Sequence, residues 1–356
     1  MNIIVGGGIS GLTCIKYLYK LDYKNILLIE KENNLGGCCS SYKYNNNIIS
    51  DVAISSFLYT LSKSYRKMIK NKMIEIEYRK INIIDFILII LEIIILIIYS
   101  KFNKINEYNI KSKLIYFYNL GGYNNKKYIN FNIYKFNNIH KLDNIILSLF
   151  NKLYMIDDYN KVVIDYYKKY IEKIKKINNI EIEKIDIDKK LLYDKNDNYY
   201  KYNNLIITTR IKELINILIK SDNLIFNKLI KLLSNEIIYS ECISYVYLIK
   251  NKEKEIDIYL SDKYTEIYGH IYKKNLCVIY TAKEFKDEEL LNYLNNKNII
   301  GIKKLKETII KDYFPSFKNN NNLDIIINEI DNIYKKTNIL IPLGILINGE
   351  GVSPLM

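Results

Sequence analysis

Three glycines near the start of the chain, Gly6, Gly8 and Gly11, stand at G-x-G-x-x-G spacing. That spacing suits a diphosphate held by main chain: a tight turn, close backbone approach to the pyrophosphate, and close packing of a helix on a strand. A helix starting there, with Ser10 in its first turn, directs unpaired N–H groups and its positive end at the phosphates. Glu30 follows 19 positions beyond Gly11. A carboxylate at about that distance belongs on a ribose. Together these residues imply that a dinucleotide is bound by backbone and oriented by one acid.

Such a site needs particular elements, and the sequence supplies them in order. Asn2–Val5 is a short apolar run with β-branched residues and predicts a strand that feeds directly into the glycines. Leu12, Ile15, Leu18 and Leu21 recur at helical spacing, so the next helix has an apolar face to lay on a sheet. Asn25 to Ile29 predicts a second strand, and it ends on Glu30. The glycine spacing alone is a weak signal. Strand, glycine turn, amphipathic helix, second strand and terminal acid together are a specific one.

The glycine pair Gly36-Gly37, reached through Glu30-Lys31-Glu32-Asn33-Asn34-Leu35, narrows the ligand. This arrangement resembles the N-terminal FAD fingerprint of the flavin amine oxidase, protoporphyrinogen oxidase and phytoene desaturase superfamily, in which the pair brings backbone close to the flavin end of FAD. Later stretches resemble the same group in the same order. Ile48 to Ala53 follows a short polar turn over Tyr44 to Asn47 and reads as a hairpin returning to the sheet, and Asp51-Val52-Ala53 within it resembles a hydrophobic-Asp-hydrophobic-Gly pattern, with alanine for the glycine. His140 to Leu153 reads as an amphipathic helix preceding the return to the first sheet. A strand over Ile180 to Ile187, a polar turn over Lys189 to Asp197, an extended Tyr199 to Asn203 and a buried strand ending in Thr208-Thr209 make that return. Four short strands are expected between Cys242 and Tyr280, and helices over Glu288 to Leu294 and Ile302 to Ile310. Tyr313-Phe314-Pro315-Ser316-Phe317 is similar to an aromatic-proline segment leading back to the FAD domain. The final stretch from Asn338 resembles a third FAD motif, with Gly344 present, Ile345 where an acid would stand, and Val352 in a glycine-containing loop.

The resemblance implies an α/β fold: a Rossmann-like FAD-binding domain with a three-layer parallel sheet, interleaved with an α+β substrate domain on an antiparallel sheet. The expected segments are 1–60, 141–220 and 321–356 for the first, and 61–140 and 221–320 for the second. It implies FAD as cofactor, contacted by Gly6, Gly8, Ser10 and Gly11 at the pyrophosphate, Glu30 at the ribose with Lys31 beside it, Gly36 and Gly37 near the flavin, then Thr208, Gly344 and Val352. The implied reaction is hydride transfer from a C–N or C–C bond of a small or lipophilic substrate to flavin. No motif marks a catalytic base; His140 reads as a cap or surface residue and His270 as a strand residue. Two other classes stay open, a non-catalytic FAD-binding protein and a membrane-associated structural protein.

Composition sets the outer limits. A formal charge of +14 would suit an anionic partner, but the basic residues are spread along the chain and only Arg66, Arg79 and Arg210 are arginine. Nucleic-acid binding asks for basic residues gathered on one face, so a solvated lysine surface is expected and no nucleic acid. Ile, Asn, Lys and Tyr dominate, residues that share AT-rich codons, so the bias reads as genomic. Five cysteines, Cys14, Cys38, Cys39, Cys242 and Cys277, show no metal-ligand spacing, and their odd number argues against a disulfide framework. No secretory signal precedes the first strand, which predicts a reducing, cytosolic setting. Phe86 to Tyr99 is the most apolar run, yet it is short for a span of roughly 20 residues and Glu92 interrupts it. A buried helix is the main expectation there, and peripheral membrane contact the alternative.

Overall fold

The structure is a computed structural model that describes residues 1–50, 56–58, 73–76, 87, 91, 153–156, 158–250, 256–260, 266–317 and 323–342. In chain order the strands are β1 (Asn2–Val5), β2 (Ile26–Ile29), β3 (Ser41–Tyr44), β4 (Asn47–Ser50), β5 (Ser56–Leu58), β6 (Met73–Ile76), β7 (Leu153–Ile156), β8 (Lys175–Ile177), β9 (Ile182–Asp186), β10 (Leu191–Asp194), β11 (Tyr199–Lys201), β12 (Asn204–Ile207), β13 (Ile237–Ile249), β14 (Ile256–Leu260), β15 (Ile267–Lys273), β16 (Leu276–Thr281), β17 (Gly301–Phe317) and β18 (Ile339–Leu340). The helices are α1 (Ile9–Lys20), α2 (Tyr159–Ile171), α3 (Ile211–Lys220), α4 (Leu224–Glu236), α5 (Asp287–Asn296) and α6 (Leu323–Thr337). The chain divides into two compact units, each assembled from separate segments.

The first unit draws on Met1–Cys39, Asn160–Ile238 and Phe317–Met356. Its centre is a five-stranded sheet in the order β18-β12-β1-β2-β8, with every pairing parallel. Parallel strands covered on both faces read as unbroken apolar runs. Ile3, Ile4, Leu28, Ile29 and Leu205 are accordingly sealed from solvent. Helix α1 lies against β1 through Leu12 and Ile15, both fully buried. Helix α2 backs it: the Thr13 hydroxyl and the Tyr167 phenol share a 2.8 Å hydrogen bond, and Lys16 Nζ donates to the Tyr166 hydroxyl at 3.0 Å. Burial pushes the Tyr167 phenol well above its ordinary range.

The α/β expectation holds, and the parallel and antiparallel sheets are separate. Three local readings are corrected. Lys189 to Asp197 is not one polar turn, because Leu191–Asp194 forms β10 and makes a three-stranded meander with β9 and β11. Leu192 is fully buried there, and Asp194 accepts from the Asn196 and Asn198 amides to close the following turn. Ile302 to Ile310 is strand, part of the long edge strand β17 beside β13. Its apolar residues recur at helix-like intervals, but pairing with β13 overrides that pattern. Pro315 fits this edge, since a proline cannot donate to a ladder. The β3–β4 hairpin does not return to the parallel sheet. It forms a two-stranded sheet of its own in the second unit. Of the helix expected over 140–153, only Leu153 is described, and it opens β7. Asp51, Val52 and Ala53 lie outside the described residues. So does the Phe86 to Tyr99 run except for Ile87 and Leu91, and no helix among the described residues is long and apolar enough to cross a membrane.

The second unit, from Ser40–Tyr159 and Tyr239–Ser316, is built on an antiparallel sheet in the order β14-β15-β16-β13-β17. Tyr42, Tyr44 and Ile49 of the β3–β4 hairpin pack against Val246, Ile271, Val278 and Tyr280 on one face, while Leu290 and Leu294 of α5 join the cluster on Tyr245, Tyr247 and Ile279. Lys273 is only 7% exposed, and its ammonium donates to the Ile48 carbonyl at 3.2 Å. Burial, with Lys274 alongside, pushes it down to about 8. The unfolded chain keeps that proton to higher pH than the folded one, so this group adds stability as pH rises from about 8 toward its unfolded value. Thermal melts across pH 7 to 10.5 should therefore show the natural protein gaining stability relative to Lys273→Met. Parallel curves would mean that the ammonium is not desolvated.

Candidate dinucleotide-binding site

The candidate site forms at the carboxyl ends of β1 and β12. Beyond Val5 the chain turns at Gly6, whose amide donates to the Ile29 carbonyl at 2.9 Å. Thr208, just past β12, holds the underside of this turn. Its amide donates to the Val5 carbonyl at 2.8 Å, and its hydroxyl lies 2.9 Å from that oxygen and 3.0 Å from the Gly6 carbonyl. Gly11 completes the packing. A Cβ on it would fall 1.9 Å from the Gly6 carbonyl oxygen, a position no atom can occupy.

Helix α1 begins without a side-chain cap. Gly8 is its N-cap in extended conformation, no side chain bonds the first turn, and that turn carries no acid. The first intrahelical bond runs from Leu12 N–H to the Gly8 carbonyl at 3.0 Å. The amides of Ile9, Ser10 and Gly11 thus have no acceptor within the helix and stand at its positive end. An anion placed there would satisfy them without displacing any capping group.

The glycine-pair loop comes to the same place. Gly36 bridges to Gly8 in parallel fashion, its amide donating to the Gly7 carbonyl at 2.9 Å. A Cβ on Gly37 would lie 3.1 Å from the Gly8 Cα, whereas one on Gly8 would meet Gly37 Cα at 3.8 Å. Main chain here faces main chain with no side chain between. Glu30, 7% exposed, joins the two loops: one carboxylate oxygen accepts from the Gly7 amide at 2.5 Å and the other from the Glu32 amide at 2.8 Å. Each oxygen of a carboxylate has room for a further hydrogen bond, so ribose hydroxyls remain acceptable partners.

The structure thus brings together Gly6, Gly8, Ser10, Gly11, Glu30, Gly36, Gly37 and Thr208. Lys31 pairs with Glu213 of α3, and its ammonium is committed to that carboxylate. Gly344 and Val352 lie outside the described residues, as does Ile345. Two further groups, Arg210 and Asn160, were not singled out by sequence reasoning as parts of this site, and Thr209 was read only as the second of the hydroxyl pair that ends its strand. The Thr209 hydroxyl is buried and has no hydrogen-bond partner among the described residues. Arg210, at the N-cap of α3, stands near Cys38 just after the glycine pair, and its positive charge favours the Cys38 thiolate against the effect of burial, which pushes the thiol up. Asn160 of α2 donates from Nδ2 to the Leu35 carbonyl at 3.0 Å. Asparagine is so common in this chain that nothing marks this one in sequence. Among the described residues no cluster of histidine, cysteine and acidic side chains is arranged to hold a metal ion.

Residues 4–70 match the family model of the NAD(P)-binding Rossmann-like domain. No curated protein matches the sequence. Among solved structures, the chain is similar to a CLA-producing fatty acid isomerase from P. acnes, with a TM-score of 0.71 at 12% identity over 99% of this chain and 95% of that one. It is also similar to a protein from Exiguobacterium sp. assigned as a protoporphyrinogen oxidase, with a TM-score of 0.63 at 12% identity over 99% and 95% of the two chains. A reduced UDP-galactopyranose mutase gives 0.59 at 12% identity over 95% and 88%. The likeness to these structures is one of fold.

The two glycines Gly8 and Gly11 make opposite demands, and this can be measured in the ligand-free protein. Gly11→Ala should destabilise by about 3 kcal/mol or prevent folding, because the turn cannot yield around an added methyl. Gly8→Ala should change stability by less than about 1 kcal/mol, since its backbone is ordinary and the nearest atom leaves room. Equal losses in denaturant titrations would contradict this geometry.

Proposed function

We propose that this chain is an FAD-dependent oxidoreductase that moves hydride between a C–N or C–C bond of a small or lipophilic substrate and the flavin. One observation carries the reading: the uncapped start of α1 and the glycine pair meet main chain to main chain at Gly8 and Gly37, with nothing bulkier to exclude a diphosphate. A fold shared with a fatty acid isomerase, a UDP-galactopyranose mutase and a protein assigned as a protoporphyrinogen oxidase supports it. The residues present suit the cofactor. Glu30 has lone pairs to spare, and the buried Thr209 hydroxyl has no partner among the described residues beside the same sheet edge.

In this reading the amides of Gly8, Ser10 and Gly11 take the diphosphate, Glu30 takes the adenosine ribose, and Gly36 and Gly37 let backbone approach the flavin end. Thr208 holds the turn from beneath, and Lys31 borders the adenosine side. Gly344 and Val352 belong to the expected last contacts. FAD, when bound, supplies the hydride acceptor, and the protein orients substrate and excludes water. The antiparallel unit serves as the substrate domain. Two of the similar structures are an isomerase and a mutase, so a reaction without net oxidation falls within the same chemistry. Unsaturated fatty acids are the first substrates to try, given the fatty acid isomerase among those structures.

Purified protein should carry, or take up from added FAD, the visible absorption band of oxidised flavin. Gly8→Val, which places a branched side chain in the gap opposite Gly37, should weaken FAD binding at least tenfold by titration, about 1.4 kcal/mol. Colourless protein that ignores added FAD, or undiminished uptake by the variant, would sink the proposal. Flavin that binds but is bleached by no amine, tetrapyrrole or lipid donor would indicate binding without catalysis.

A further inference from the structure

We infer that Asn160 is the positioning residue for the glycine-pair loop, and through it for the flavin-side half of the bound cofactor. This rests on the functional reading above. Gly36 and Gly37 both have positive φ, +116° and +56°, so the loop adopts a backbone shape that side-chain-bearing residues avoid. Such a shape persists only where its surroundings fix it. Three bonds do so on the side of the nucleotide turn: Gly36 N–H to Gly7 carbonyl at 2.9 Å, Cys39 N–H to Gly36 carbonyl at 3.1 Å, and the Glu30 bond to Glu32 N–H at 2.8 Å. On the far side one side chain closes the loop. Asn160 Nδ2 donates to the Leu35 carbonyl at 3.0 Å and packs so tightly beneath Gly36 that a Cβ there would come within 2.3 Å of it.

Asn160 sits in the first turn of α2, and α2 is fixed independently by the Thr13–Tyr167 and Lys16–Tyr166 hydrogen bonds to α1. Helix α1 is the one whose N-terminus meets the glycines. The nucleotide turn and the glycine-pair loop are therefore referenced to a single pair of packed helices, and Asn160 is the link on the loop's side. Nearer the adenosine end, Asn178 Nδ2 donates to the Asn33 carbonyl at 2.6 Å, so that stretch has its own support. Loss of Asn160 would consequently loosen Leu35 to Gly37 and leave the Glu30 end in place.

Asn160→Leu removes the donor while keeping the branch at Cγ, in a somewhat bulkier side chain. Its expected effect is about a tenfold weaker FAD affinity, the size of one lost buried hydrogen bond, with AMP affinity changed less than twofold. In the ligand-free protein, amide exchange at Gly36 and Cys39 should quicken about tenfold while amides of β1 and β2 stay as they were. Should the leucine variant fail to fold, Asn160→Ser, too short to reach the Leu35 carbonyl, must give the same pattern. Natural protein that binds FAD, with a variant that binds it equally or loses FAD and AMP alike, overturns the assignment and leaves the functional reading standing. Natural protein that binds no FAD overturns both.

Discussion

The approach of backbone to backbone at Gly6, Gly8, Gly11 and Gly37 is the constraint on which the first unit is arranged. The Gly6 carbonyl fills the space a Cβ on Gly11 would need, and Thr208 bonds the underside of the same turn. This contact sets the angle at which α1 leaves β1, and so the place where its first-turn amides point. The placement of β12 beside β1 goes with it, because Thr208 must reach the turn. A polar cap on α1 would have used the very amides an anion needs, and none is present.

Charge at this edge is arranged by a few residues and not by the excess of lysine. Lys31 is taken by Glu213, and Arg210 stands near the Cys38 thiol. Elsewhere lysines pair with nearby acids at exposed positions, as Lys161 does with Asp165 and Lys195 with Glu181. Exposed pairs of this kind contribute little. These pairs sit at the surface, outside the nucleotide turn. Attraction for a diphosphate at the site has to come from main-chain amides and the helix end, which are local and fixed.

Much of this was legible from residue order. Gly6, Gly8, Gly11 and Glu30 declare a βαβ unit because each satisfies a steric or hydrogen-bonding demand that few other residues meet. Strands β1, β2 and β12 declare themselves by apolar runs, β9 by alternation, and β13 to β16 as a succession of short strand candidates. What escaped reading depends on partners distant in sequence. Ile302 to Ile310 has helical intervals and is strand, because β13 supplies a ladder that spacing cannot reveal. Leu191 to Asp194 is hidden inside a polar stretch, and only the burial of Leu192 explains its pairing. Asn160 and Arg210 reach the site from 125 and 172 residues after Leu35 and Cys38, and asparagine abundance masks the first of them. Thr208 and Thr209 are legible as a hydroxyl pair at a strand's end, and geometry adds that Thr208 bonds the underside of the turn.

The central sheet joins pieces that emerge far apart in time. Strand β2 can line up beside β1 as soon as the first thirty residues are made, but the other flank of β1 pairs with Asn204 to Ile207. During synthesis that apolar edge stays open while more than 170 further residues are added, and it closes only once the segment bearing β12 leaves the ribosome. The nascent chain therefore passes through a long interval with an unsealed ladder at its amino end, the kind of surface that holding chaperones recognise and that a second copy could capture.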